Sequence, residues 1–131
     1  VDVREVRTAA PDGLDRLEQL AEGAVQRFAV VIYLCGAPNV DLSEARRECR
    51  DYAGTLTWGV VAEIEDRDAG TPPEERAALR EALRRIESRE AGALLTMWPS
   101  MISTAEREYH EVARQVEAAG GFLHVVERTR T

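Results

Sequence analysis

Phe28-Ala-Val-Val-Ile-Tyr-Leu-Cys-Gly-Ala-Pro38 is the stretch that decides the fold. Phe28 to Cys35 is the longest apolar run in the chain. Its β-branched Val30, Val31 and Ile32 favour an extended backbone. Gly36 and Pro38 then break the run and predict a tight loop, Gly36-Ala-Pro-Asn39. A strand apolar on both sides belongs in the middle of a sheet covered on both faces.

Working outward, the same alternation repeats. Before the strand, Asp12 can cap an amphipathic helix with Leu14, Leu17, Leu20, Ala21 and Ala24 on one side. After it, Asp41 or Ser43 can cap a helix running to about Gly54, with Leu42, Ala45, Cys49, Tyr52 and Ala53 inward. Trp58 to Ile64 reads as a second strand, and the Gly- and Pro-rich 66–73 as a loop. A long helix is expected from Pro73 or Glu74 through Arg89, with Ala77, Leu79, Ala82, Leu83 and Ile86 as its apolar set. Its charges mostly find i,i+4 partners and read as a solvated face. Ala93 to Trp98 is a third strand stopped by Pro99, whose nitrogen cannot donate to a ladder. Thr104 to Ala119 is a helix with Ala105, Tyr109, Val112, Ala113 and Val116 inward, ended by Gly120-Gly121. Phe122 to Val126 is the fourth strand, and 127–131 a polar tail. The expected architecture is α/β: a mainly parallel sheet of about four to five strands with helices on both faces. The expected division is an N-terminal extension, 1–27, and one α/β domain, 28–131.

The 131 residues suit one domain with a sizeable core, given 44% apolar content. No apolar run approaches the roughly 20 residues that span a bilayer, and the N-terminus lacks the pattern of a secretory signal. A cytoplasmic protein with no membrane partner is expected. All 17 basic residues are Arg, against 24 acidic ones, for a net charge of −7. Nonspecific DNA affinity comes from neutralising phosphates, so direct DNA binding by this acidic domain alone is not expected. Cys35 and Cys49 have no His or Cys at metal spacing, and reduced thiols are expected.

Several short patterns, taken in order, resemble the catalytic domain of serine recombinases, the resolvase/invertase family. They are Tyr33-Leu34 at the strand end, Cys49-Arg-Asp-Tyr-Ala53, Trp58-Gly59, Glu65-Asp66, Ala69-Gly70, Leu94-Leu-Thr-Met-Trp98 and Gly121-Phe-Leu-His-Val-Val-Glu127. The resemblance spans residues 28 to 127 and implies a resolvase-like three-layer fold. It also implies a nucleophilic serine after the first strand, with arginines stabilising charge on the phosphorane-like transition state. At those positions stand Ala37 for the serine, Cys35 for one arginine and Pro38 for a threonine. The arginine implied before the second helix falls at Pro72. Pro99 to Thr104 lacks the aspartate and arginines of the family's second block.

On that reading the domain is not an enzyme and has no catalytic, cofactor-binding or metal residues. Other chemistries find little support in the residues. Cys35 would need a nearby base or cation to be a nucleophile, and neither His110 nor His124 is visibly beside it. Ser100 and Ser103 read as loop or cap residues. His124 reads as structural, and Asp66 with Asp68 as an acidic turn without a third oxygen ligand. The expected role is an interaction, oligomerisation or regulatory module, DNA-associated through parts outside this chain, with a second copy or another protein as partner. The alternative is a small-molecule- or nucleotide-binding domain using the loops after Cys35, Asp66 and Trp98, which hold Gly36, Asn39, Asp68, Ser100 and Ser103.

Overall fold

The computed structural model describes residues 27–127. The expected helix at Leu14 to Ala24 and the tail after Glu127 lie outside them. Seven elements follow in order: β1 (Ala29–Cys35), α1 (Ser43–Thr55), β2 (Gly59–Asp66), α2 (Ala77–Glu87), β3 (Ala93–Thr96), α3 (Glu106–Ala118) and β4 (Phe122–Val125). Short 3-10 turns, Pro73–Glu75 and Pro99–Met101, precede α2 and follow β3.

The four strands form one sheet in the order β2-β1-β3-β4, every pair parallel. The chain steps from β1 to β2 in one direction, then from β2 across β1 to β3 and on to β4 in the other. Right-handed crossovers therefore place α1 on one face and α2 with α3 on the opposite face. The expected two-sided cover is what forms. β1 is flanked on both sides, which is why Val30 through Leu34 are almost wholly buried. At the outer edge, Val61 is an extra residue between the Val30↔Val60 and Val31↔Ala62 pairs. That bulge interrupts the ladder on an edge strand, where an unbroken one invites pairing with other chains.

Helix faces follow the apolar spacing with local corrections. In α1, Ala45, Cys49 and Ala53 are buried, as expected. In α2 the buried set is Leu79, Ala82 and Ile86, and in α3 it is Val112 and Val116. Ala77 and Ala105, expected inward, are exposed, because each sits where its helix is only beginning. The long helix expected from Pro73 is also shorter. Pro73–Glu75 forms a 3-10 turn, Arg76 is extended with φ −87° and ψ 116°, and α2 starts at Ala77.

At the other end of the chain, Gly120 takes φ +104°, a conformation that favours glycine. The Gly121 N–H then reaches back to the Val116 carbonyl at 3.0 Å. Aromatic rings close the amino-terminal end of the sheet, with Phe28 stacked on Phe122 and tilted against Trp58, both at 5.6 Å.

Candidate functional site

Strand order reverses between β1 and β3, since the chain leaves β1 for β2 on one side and β3 for β4 on the other. In open α/β sheets the crevice beyond the carboxyl ends of the strands at such a reversal is the usual site. Three side chains meet there. The Tyr33 hydroxyl donates to Asp66 Oδ2 across the β1–β2 boundary at 2.6 Å. Asp66 Oδ1 accepts the Asp68 backbone N–H at 2.9 Å, which shapes the turn after β2. The Arg76 guanidinium donates to the Tyr33 oxygen at 3.4 Å, the Met101 carbonyl at 3.1 Å and the Thr71 carbonyl at 2.8 Å.

Arg76 is 4% exposed and Asp66 5%, so both charges are withdrawn from water. They form no direct ion pair. The phenol lies between them, accepting from the cation and donating to the carboxylate. Burial, then the hydrogen bond to Asp66, holds the Tyr33 phenol well above its ordinary pKa, so it stays a donor. Charged groups removed from water need such hydrogen bonds to be tolerated.

Arg76 was not expected at this place. The resemblance implies an arginine before the second helix and sets Pro72 at its position. Pro72 leads into the 3-10 turn Pro73–Glu75, and the residue directly ahead of α2 is Arg76. A signal was present: Arg76 precedes Leu79 by three and Ile86 by ten, on the apolar stripe of the helix. Its membership of a charge run hid it.

The loop after β1 is fixed by its neighbours. The Gly36 N–H bonds the Asp66 carbonyl at 3.0 Å, and Val40 N–H bonds the Ala37 carbonyl at 3.1 Å. Arg67 donates to the carbonyls of both Ala37 and Val40, at 2.9 and 2.6 Å. Ala37 is thus held at the strand end with a methyl as its only side chain. Cys35 is buried, and burial raises its thiol pKa while Arg76 partly opposes the rise. The thiol is consequently held neutral near pH 7, which leaves it a weak nucleophile.

The remaining residues singled out from the sequence are dispersed. The Ser103 hydroxyl accepts the Ala105 N–H at 3.0 Å and donates to Glu108 at 2.6 Å, fixing the turn that leads into α3. Ser100 and Ser103 line an open groove of about 690 Å³ with Tyr109 and His110. His124 meets the Tyr52 hydroxyl at 2.7 Å on the α1 side of the sheet. Asn39 is exposed in the loop. Among the described residues no three His, Cys, Asp or Glu side chains gather where they could hold a metal, and no helix is long and apolar enough to cross a membrane.

No protein-family model matches the chain, and no curated protein matches it. Solved structures do. The C-terminal catalytic domain of ISC1926 TnpA, an IS607-like serine recombinase, superposes with TM-score 0.68 at 19% identity, over 79% of this chain and 73% of that one. The N-terminal catalytic domain of TP901-1 integrase gives TM-score 0.67 at 19% identity, over 75% and 76%. A serine recombinase from Sulfolobus solfataricus gives 0.53 at 17% identity, over 75% and 69%. At these identities the likeness establishes the fold: it is that of serine recombinase catalytic domains.

The expectation that the domain is not an enzyme is corrected by its structural neighbours. The structures that share its fold are catalytic domains and a recombinase.

Proposed function

We propose that this chain is a serine-recombinase-fold domain contributing to recombination assemblies through protein–protein contact, as an oligomerisation or regulatory module. DNA is reached through parts outside the chain. One observation carries the reading: the buried Tyr33–Asp66–Arg76 framework lies beneath a strand-end loop whose side chain at position 37 is a methyl. Buried charged groups are costly unless fully bonded, so a bonded framework here speaks for a fixed shape at this end of the sheet. The acidic balance, −7 overall, favours protein contact over a phosphate backbone.

The test is the oligomeric state of the purified chain by size-exclusion chromatography with light scattering, together with capture by serine recombinases. Self-association or capture is expected. A strict monomer at all concentrations that captures nothing would sink the reading. A supercoiled-plasmid nicking assay is the second measurement, and a covalent protein–DNA adduct would replace the assembly role with a strand-cutting one.

A further inference from the structure

The sheet face that carries α1 is covered unevenly. Arg46 and Arg50 of α1 reach Glu63, which pairs with Ile32, so that row marks the α1 face. Ile32 pairs in turn with Leu95, and Leu95 with His124. Phe122, two residues before His124, shares the face. α1 itself lies mainly over β1 and β2, and it meets β4 through the 2.7 Å hydrogen bond between Tyr52 and His124.

An aromatic platform stands at the amino-terminal end of this face. Trp58 precedes β2, Phe28 precedes β1, Gly92 precedes β3 and Phe122 opens β4, so the platform crosses all four strands. The Phe28 ring lies so close over Gly92 that a methyl there would stand 2.5 Å from its Cε1. Phe28 also meets Trp58 and Phe122, each at 5.6 Å between ring centroids. The ring is thus held from beneath and from both sides. Its outer side is open: Phe28 is 41% exposed and Phe122 38%. Single exposed apolar side chains need no explanation, but these two are stacked together.

The chain carries a matching surface of its own. Leu14, Leu17, Leu20, Ala21 and Ala24 recur at helical spacing, with Asp15, Arg16, Glu18, Gln19 and Glu22 between them. A helix this short is marginal in water unless its apolar side is packed. Over 14–24 it would be about 16 Å long, close to the roughly 14 Å that four strands span. Ala24 stands four residues before Phe28, so even a fully extended connection keeps the stripe within about 14 Å of the platform. So short a tether gives an effective concentration of order millimolar or above, which favours this segment over a free partner. From the platform and the tether, we propose that segment 14–24 docks its leucine and alanine stripe on Phe28 and Phe122, as a second helix on the α1 face. The inference stands apart from the assembly reading: docking covers the amino-terminal end of the sheet and leaves the carboxyl end open.

Hydrogen exchange of the full chain, read by mass spectrometry on fragments covering 14–24, tests it. Protection of these amides is expected, and Phe122→Ser should reduce it at least about tenfold. Val40→Ser is the control, an exposed valine in the loop at the other end of the sheet, and should leave the protection unchanged. The reciprocal variant, Leu17→Ser/Leu20→Ser, should move Trp58 emission to longer wavelength in a Trp98→Phe background. Undiminished protection of β1 and β3 verifies that each variant keeps the fold. Fast exchange throughout 14–24 in the parent chain, or protection that survives Phe122→Ser, overturns the proposal. Protection that grows with protein concentration over a roughly hundredfold range also overturns it, by assigning the platform to a second copy. Light scattering decides the assembly reading separately, whichever way the exchange falls.

Discussion

Arg76 is the residue on which the architecture of the candidate site turns. Its guanidinium ties the 66–73 loop, β1 and the turn after β3 together through Thr71, Tyr33 and Met101. Arg76→Met keeps an unbranched aliphatic stem but leaves two carbonyls and a phenol oxygen without their donor. A loss of about 2–4 kcal/mol is expected in urea denaturation. Tyr33→Phe should cost about 1–3 kcal/mol, because Asp66 Oδ2 then loses its buried donor. Replacing the three together by Phe, Leu and Met should recover part of the loss, since an apolar set needs no partners. A single Arg76→Met change within about 0.5 kcal/mol of the parent would show that the network couples nothing. This residue also marks where sequence reading failed. β1 declared itself because an unbroken apolar run has few alternatives in a soluble domain. Arg76 did not, because a buried and a solvated arginine are spelled alike, and its place on the apolar stripe is obscured by the charges around it.

The two cysteines give a residue-scale prediction with a definite sign. Burial pushes the Cys49 thiol up to about 12, from an ordinary value of 9.0. In the unfolded chain the thiol ionises near that ordinary value, while in the folded chain it keeps its proton. The unfolded state therefore binds fewer protons between about pH 9 and 12, and stability falls as pH rises through that window. The slope from this group alone approaches about 1.4 kcal/mol per pH unit. Urea midpoints under reducing conditions should decline above pH 9, and Cys49→Ala should flatten the decline. A decline of equal steepness in that variant would place its origin in other groups.

At the scale of elements, the junction of α3 with β4 shows how one position sets a packing distance. A methyl group at Gly121 would stand 2.6 Å from the Gly92 carbonyl oxygen and 2.8 Å from Ile86 Cγ2. The first of these is backbone and cannot rotate away. Gly121→Ala is expected to cost about 1–3 kcal/mol by overpacking, seen as a lower Tm in a thermal melt. Gly54→Ala is the control, since nothing lies within 4 Å of a methyl there. Equal melting of the two variants would contradict the close approach. The glycine pair was legible in the sequence as a helix stop, but the need for Gly121 beside β3 was not. It depends on which strand lies next to β4, and local pattern carries no information on strand order. The 3-10 turn at Pro73–Glu75 was hidden for a local reason: a proline suits the first turn of either helix type.

For the whole molecule the relevant quantity is charge set against fold. The catalytic-domain fold invites the expectation of a DNA grip, whereas 24 acidic residues against 17 arginines oppose it. Several arginines are also already engaged: Arg46 and Arg50 with Glu63, Arg67 with Glu65, Arg85 with Glu81 and Glu90. Exposed pairs of this kind contribute at most about 1 kcal/mol to stability, yet each removes a cation that could have replaced a counterion on DNA. Binding of duplex DNA by phosphate contacts weakens with salt at a slope of about 0.9 per phosphate neutralised. For this chain the expected outcome is no retention of a labelled 30-base-pair duplex at about 0.15 M salt and micromolar protein, and only a shallow salt dependence below that. Fluorescence anisotropy across a salt series measures both. Tight binding with a steep slope would reveal a concentrated arginine surface and return DNA contact to this domain. Its absence, alongside self-association, would mean that the recombinase fold is used here for what it presents to other proteins.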